Sequence, residues 1–168
     1  MKNISLSKSR IVFALLTAAV MVCIFLFSCE NAEESSDTSG FFVNIITNIF
    51  SKKFNGMSPD EQTAFLDNIS HLVRKTAHFT IFAALGTFAS LTAGRRRIIS
   101  LRSLGVLGFC FLYACTDELH QYFVPQRACM FTDVLLDTCG GLAGILFSFV
   151  LLTIFKNKHK LKDSRKNQ

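Results

Sequence analysis

Apolar residues in this chain are concentrated in four long runs that are separated by short polar segments. The runs cover residues 11–27, 76–93, 98–116 and 134–155. A helix needs ~20 residues to cross the hydrocarbon core of a bilayer, and ~17 are sufficient. Because lipid offers no partner to an unpaired peptide group, isolated apolar runs of this length predict helices. The pattern therefore predicts an all-α polytopic membrane protein, with a four-helix transmembrane bundle.

The segment between the first two runs, roughly residues 28–75, carries further patterns. Residues 33–40 are polar and predict a flexible stretch. Phe and Ile then recur at helical spacing over 41–50, which predicts an amphipathic helix. Such a helix could lie on the outer leaflet, plug the bundle or simply pack on its neighbours. Residues 58–61 (Ser-Pro-Asp-Glu) form a helix start, so the second span is predicted to extend outward from near Pro59.

Composition supports the membrane class. Of the 168 residues, 50% are hydrophobic and 18% are charged, which is too apolar for a soluble domain of this size. The length suits a single membrane domain over residues 1–168, in which 156–168 form a basic cytoplasmic tail. The net charge of +6 lies in short clusters that flank the apolar runs. Clusters in these places favour membrane anchoring and argue against a nucleic-acid partner.

Lys and Arg residues predict the orientation. They precede the first run, fill the turn between the second and third, and follow the fourth: Lys2, Lys8, Arg10; Arg95, Arg96, Arg97, Arg102; Lys156, Lys158, Lys160, Lys162, Arg165, Lys166. Eleven of the twelve acids lie at or beyond the opposite ends. The positive-inside rule then places both termini in the cytoplasm of a multi-pass plasma-membrane protein. An alternative remains, since residues 26–29 resemble a lipoprotein signal peptide whose cleavage would remove the first span.

The six cysteines show no metal-ligand spacing. Four of them lie inside apolar runs, where a thiol behaves as a small hydrophobe. Cys29 and Cys129 would both lie on the outer side, so a disulfide between them stays open. We assign no metal and no cofactor from these spacings.

Polar residues gather at the outer ends of the second, third and fourth spans. On the second span, four of them share one helix face at i, i+3, i+4 and i+7: His71, Arg74, Lys75 and His78. Ionisable groups at membrane depth are costly, and they tend to face the bundle interior, paired or functional. We therefore predict a ligand-binding site composed of Arg74, Lys75, His78, Asp117, Glu118, Gln121, Arg127, Asp133 and Asp137. The plain alternatives are that His120 and Gln121 are interfacial and that Asp133 caps the fourth helix.

Three spacings in this set together resemble the VanZ-like family: Lys75-x-x-His78, Asp117-Glu118-x-x-Gln121 and Arg127-x5-Asp133-x3-Asp137-x-x-Gly140. Ser28, directly after the first run, resembles the corresponding segment of that family. The likeness covers roughly residues 11–144, and the combination is specific although each piece alone is weak. It departs at Asp137, where the family usually has Asn, and at Gln126, where Gly is common.

The resemblance implies a membrane protein of the bacterial cell envelope. The family takes its name from a protein associated with teicoplanin resistance in Gram-positive bacteria, so a link to glycopeptide resistance is an expectation that not every member carries. The family's biochemical activity is not generally established, and the resemblance therefore implies no reaction.

Two functions of different classes fit the predicted site. In the first, a non-catalytic protein binds an outer-leaflet envelope lipid or a lipid-linked cell-wall precursor, and Arg74, Lys75 and Arg127 hold its phosphate. The second is an intramembrane enzyme acting on a lipid-linked phosphate. Its candidate catalytic residues are Asp117, Glu118 and His78, with His120 as an alternative acid and Arg127 stabilising negative charge.

The enzyme hypothesis has a variant and a weakness. The variant is a divalent cation held by Asp133, Asp137 and Glu118. The weakness is that no established nucleophile motif appears, so binding is preferred. A transporter or structural assembly partner is a third class, and Gly140-x-x-x-Gly144 would allow a homo-oligomer through close helix packing.

Overall fold

Six helices make up this computed structural model, which describes residues 8–30, 32–94, 100–125, 127 and 129–166. In chain order they are α1 (Lys8–Cys29), α2 (Ala32–Ile49), α3 (Ser51–Phe54), α4 (Pro59–Ala93), α5 (Leu101–Gln121) and α6 (Phe131–Lys166). No strand occurs within these described ranges. The all-α prediction is therefore confirmed.

The long helix α4 begins and ends at the signals that its sequence carries. The Ser58 hydroxyl accepts a hydrogen bond from the Glu61 amide, and the Glu61 carboxylate accepts one from the Ser58 amide at 2.8 Å. At the other end, Gly94 has a φ of 65°, which glycine adopts without the Cβ clash of other residues. The prediction that the second span belongs to one long helix beginning near Pro59 is confirmed.

Helices α4 and α6 form the most extensive helix–helix contact of the bundle. The contact is close because glycines of α6 face the backbone of α4: a Cβ on Gly140 would collide with the Phe79 carbonyl, and one on Gly144 with the Ala83 carbonyl. The Thr87 hydroxyl donates to the Gly144 carbonyl at 3.1 Å across the same contact. The predicted glycine pair thus packs against a helix of its own chain.

Helices α1 and α5 complete the bundle around α4. The hydroxyl of Tyr113 on α5 donates to the Met21 carbonyl of α1 at 2.7 Å, and the Arg10 guanidinium donates to the Ala93 carbonyl at 3.2 Å. The core between the helices is apolar and consists of Ile24, Phe82, Leu85, Val106, Cys110, Ala114, Val134 and Ile145. The outward faces also carry large apolar side chains, which suits a surface in contact with lipid.

Three helices in the described part of the chain are long and apolar enough to cross a membrane, namely α1, α4 and the part of α6 up to Ile154. Helix α5 is not among them. It carries Arg102 near its start and Asp117 and Glu118 in its last turns, which lowers its apolar character. The structure therefore supports a membrane protein with three candidate spans, whereas the predicted fourth span does not meet the same criterion.

Several predicted boundaries shift. Residues 33–40, expected to be flexible, lie within α2. Helix α5 continues past 116 to Gln121, and α6 starts before 134 and continues through most of the predicted tail. Lys2, the turn residues Arg95, Arg96 and Arg97, and Ile98 at the start of the third run lie outside the described residues.

Candidate functional site

A polar cavity of about 240 Å³ lies between α4, α5, α6 and the segment that joins α5 to α6. Its lining contains eight of the nine predicted site residues, together with three others: Arg74, Lys75, His78, Glu118, Gln121, Arg127, Asp133 and Asp137, with His71, Met130 and Leu136. The ninth, Asp117, lies behind the lining and contacts His78. The fold therefore brings together residues that are up to 66 positions apart, from His71 to Asp137.

The α4 face supplies the cationic side of this polar cavity. His71, Arg74, Lys75 and His78 all line it, as their shared helix face requires. The ammonium of Lys75 donates to Asp133 Oδ1 at 2.6 Å, and both side chains are partly exposed. Asp133 lies inside the first turn of α6, where the helix dipole also favours its charge. This ion pair joins α4 to the start of α6 at the cavity wall.

Arg127 belongs to the segment between α5 and α6 and is anchored on two sides. Its Nε–H donates to the Glu30 carbonyl at 3.1 Å, and its Nη1 donates to Gln121 Oε1 at 3.4 Å. Burial lowers the pKa of the Arg127 guanidinium from its ordinary value, and the neighbouring charge of Arg74 lowers it further. The two guanidinium groups therefore repel each other in a partly desolvated site.

Arg74 has unused hydrogen-bonding capacity. Its Nε–H is buried and donates to no atom of the described residues. A buried donor without a partner costs about 1–3 kcal/mol. An anionic oxygen next to Arg74 would remove this cost and would also screen the repulsion with Arg127.

Glu118 holds the segment that leads into α6. It is 2% exposed, and its Oε2 accepts the Met130 amide hydrogen at 3.0 Å. The sequence did not indicate a partner for Glu118, because the group that it contacts is a main-chain amide. The contact of Arg127 with the Glu30 carbonyl could not be predicted from the sequence for the same reason, since the Glu30 group is also part of the main chain.

Below this layer, two buried carboxylates flank one imidazole. His78 Nδ1 lies 3.8 Å from Asp137 Oδ2 and 4.0 Å from Asp117 Oδ2. Gln121 Nε2 donates to Asp117 Oδ2 at 3.0 Å, so Gln121 connects Arg127 to Asp117. Asp137 is 1% exposed, and neither of its oxygens accepts a hydrogen bond from the described residues. Ser28, fully buried at the end of α1, faces Asp117.

A second, apolar cavity of about 790 Å³ adjoins the polar one between α1, α2 and α4. Arg74 and His78 line both cavities. Phe42 and Ile46 of α2 form one wall, opposite Ile81 and other apolar residues of α4. The amphipathic segment predicted over 41–50 therefore packs beside the bundle and forms one wall of this partly open apolar cavity.

Two predicted features lie away from the polar cavity. The His120 ring packs on Phe25, and its Nε2 lies 3.5 Å from Cys29 Sγ, so it faces α1 and does not line the cavity. His120 as an alternative acid–base partner is therefore not supported by its position. Cys29 and Cys129 are free and exposed.

Comparison with known families bears directly on the resemblance seen in the sequence. The family model described as VanZ/LLP1 matches residues 13–155, which is most of the chain and includes all residues of the polar cavity. Comparisons with curated proteins and with solved structures found no match. The match confirms the resemblance, and the chain belongs to the VanZ/LLP1 family.

Proposed function

We propose that this protein binds a phosphate-bearing lipid or lipid-linked precursor of the bacterial cell envelope, with the phosphate in the polar cavity. One observation carries the proposal: the polar and apolar cavities adjoin, and Arg74 and His78 line both of them. An amphiphile has the same arrangement, with an anionic head group covalently joined to an apolar chain. A free anion would need no apolar cavity.

Charge supports phosphate as the head group. Arg74, Lys75 and Arg127 line the polar cavity, and of these only Lys75 forms an ion pair within the described residues. Arg binds phosphate by paired, charge-assisted hydrogen bonds. A phosphate between Arg74 and Arg127 would accept from the free Nε–H of Arg74 and reduce the repulsion between the two guanidinium groups.

Size supports a division of the ligand between the two cavities. Pockets for drug-sized ligands measure about 300–1,000 Å³, so the polar cavity of about 240 Å³ suits a small head group only. The apolar cavity of about 790 Å³ is in the range for a chain. Because lipid tails are as apolar as the cavity wall, the chain gains little by moving there from the bilayer. The head-group contacts must therefore supply most of the affinity.

The membrane arrangement is part of the proposal. Helix α5 crosses the membrane as a fourth span beside α1, α4 and α6, with both termini in the cytoplasm of a plasma-membrane protein. Arg127 and Asp133 then face the outer leaflet, where cell-wall precursors are exposed. Glycopeptide resistance would follow if the bound lipid became less accessible to the antibiotic or changed in amount.

The first test is binding of anionic lipids to the purified full-length protein in nanodiscs. We expect saturable binding of a lipid phosphate, weakened at least about tenfold in Arg74→Gln and in Arg127→Ala, since each loses a charge-assisted contact of about 1.5–3 kcal/mol. Arg102→Ala is the matched control, because Arg102 lies at the opposite end of α5. Affinities equal to wild type in both cavity variants would overturn the proposal.

An intramembrane enzyme acting on a lipid-linked phosphate is the second candidate. The observation that favours it is the buried Asp137 carboxylate, which accepts no hydrogen bond from the described residues and lies 3.8 Å from His78 Nδ1 at the wall of the proposed phosphate site. His78 with Asp117 or Glu118 would then exchange protons with the substrate. In the same nanodiscs, phosphate release that is abolished by Asp117→Asn or by Glu118→Gln would support this candidate. Binding without turnover of any envelope lipid would leave only the binding function.

A further inference from the structure

The His78–Asp117–Asp137 group, which lies at the inner wall of the polar cavity, has the geometry of a cation site. One ligand atom from each residue, an imidazole nitrogen or a carboxylate oxygen, lies within 4.8 Å of the other two. These residues come from three helices, α4, α5 and α6. Their convergence is therefore a product of the bundle and not of a local sequence motif.

Charge compensation at this group is incomplete. Burying two carboxylates is strongly unfavourable unless positive charge or hydrogen bonds replace the water that they lose. Asp117 receives one hydrogen bond from Gln121, whereas Asp137 receives none from the described residues although it is 1% exposed. His78 is the ion-pair partner that both carboxylates share, at 3.8 Å and 4.0 Å.

Of the other cations of the cavity, Lys75 and Arg127 are engaged with other groups, and Arg74 forms no ion pair with Asp117 or Asp137. Lys75 is paired with Asp133 at 2.6 Å, and Arg127 donates to the Glu30 carbonyl and to Gln121. Two of the three acids that the sequence suggested as ligands of a divalent cation are also engaged, because Asp133 pairs with Lys75 and Glu118 accepts the Met130 amide hydrogen. The free oxygens are those of Asp137, which places the cation site on a different set of residues.

We propose that His78, Asp117 and Asp137 bind one divalent transition-metal cation, of the Mn²⁺ or Zn²⁺ class. An imidazole with two carboxylates is a mixed nitrogen and oxygen set, which suits these ions better than Ca²⁺ or Mg²⁺, whose ligands are oxygens. The ion would neutralise both buried charges and give the Asp137 oxygens a partner.

The dimensions of the site are compatible with such an ion. Ligands at about 2.1 Å in tetrahedral geometry are about 3.4 Å apart, so side-chain shifts of roughly 0.5–1 Å would complete the site. His78 and Asp137 also line the polar cavity. The cavity therefore supplies a path for the ion and leaves one side open to water or to an anionic oxygen of a ligand.

The test uses the full chain in nanodiscs, treated with a chelator and then titrated with Mn²⁺. We expect one Mn²⁺ per chain and an electron spin echo modulation from a coordinated nitrogen. His78→Gln should abolish this modulation. His71→Gln is the matched control, since His71 lines the same cavity outside the proposed ligand set. Modulation that persists in His78→Gln would overturn the assignment.

Carboxylate variants identify the oxygen ligands. We expect Asp117→Asn and Asp137→Asn to weaken Mn²⁺ binding by about tenfold or more, and Asp133→Asn by less than about twofold. If only Asp133→Asn and Glu118→Gln weakened Mn²⁺ binding, the ion would be bound by Asp133 and Glu118, and the proposal would be overturned.

If a variant does not fold, the wild-type measurements decide. Mn²⁺ that fails to saturate at one per chain, or that shows no nitrogen coupling, means that His78 alone compensates the two carboxylates. None of these measurements reports binding of a lipid phosphate, so the metal site and the proposed lipid binding can fail independently.

Discussion

At the scale of single residues, the acids of the polar cavity differ in whether their carboxylates accept a hydrogen bond from the protein. Asp133 is paired with Lys75, and Glu118 accepts a main-chain hydrogen bond, so both carboxylates have partners. Asp137 accepts no hydrogen bond from the described residues, although it is more deeply buried than Asp133, and it shares His78 with Asp117 as an ion-pair partner. Sequence spacing treated the acids alike, because the partner of each depends on a helix or segment that is distant along the chain.

The partner of Glu118 leads to a prediction about stability. Glu118→Ala leaves the Met130 amide without an acceptor, which should lower the free energy of unfolding by about 1–3 kcal/mol. Glu118→Gln keeps an acceptor oxygen and should cost less. Hydrogen exchange at the Met130 amide measures the loss of its hydrogen bond, and unfolding in mixed micelles measures the change in the free energy of unfolding. Equal exchange in Glu118→Ala and wild type would contradict the role of Glu118 as the anchor of this segment.

At the scale of helices, glycine placement determines how closely α4 and α6 approach each other. Gly86 of α4 faces Gly141 of α6, and Gly140 and Gly144 face main-chain atoms of α4. This close approach aligns the α4 face that carries Lys75 with the α6 turn that carries Asp133. The polar cavity therefore depends on small residues that are not part of its lining.

A pair of glycine variants tests this packing. Gly144→Ala places a Cβ against the Ala83 carbonyl and should destabilise the protein by about 1–3 kcal/mol, as overpacking does. Gly105→Ala on α5 is the matched control, because its Cβ would meet no atom within 4 Å. There the gain in helix propensity should stabilise by up to about 1 kcal/mol. Thermal unfolding of the two variants should thus shift in opposite directions, and shifts of the same sign would contradict the packing.

At the scale of the whole molecule, the positions of charged residues and the fold lead to one arrangement. The cations that line the polar cavity lie at the end of the bundle opposite to the basic tail. In the proposed orientation, which follows the positive-inside rule, that tail lies in the cytoplasm and the cavity lies at the outer leaflet. Cys29 and Cys129 are exposed and belong to the segments next to this cavity.

Cysteine labelling in intact cells tests the orientation. With the remaining cysteines replaced, a membrane-impermeant maleimide should label Cys29 and Cys129 from outside. A Lys160→Cys variant should be labelled only after permeabilisation. Protection of Cys129 together with outside labelling at position 160 would reverse the proposed topology, and labelling of all three from outside would exclude the four-span arrangement.

The sequence by itself determined the class of fold, the start of α4 and most of the residues that line the polar cavity. These follow from local rules: apolar length, the capping pattern at Ser58, and the cost of charge at membrane depth. Its prediction that α5 is a fourth span is not confirmed, and it did not show that 33–40 are helical. The tertiary structure decided which charged group meets which partner, for example Lys75 with Asp133 and Glu118 with the Met130 amide. It also placed the apolar cavity next to Arg74 and His78. Such pairings depend on the rotation and separation of packed helices, which the close α4–α6 contact fixes and which no local pattern encodes.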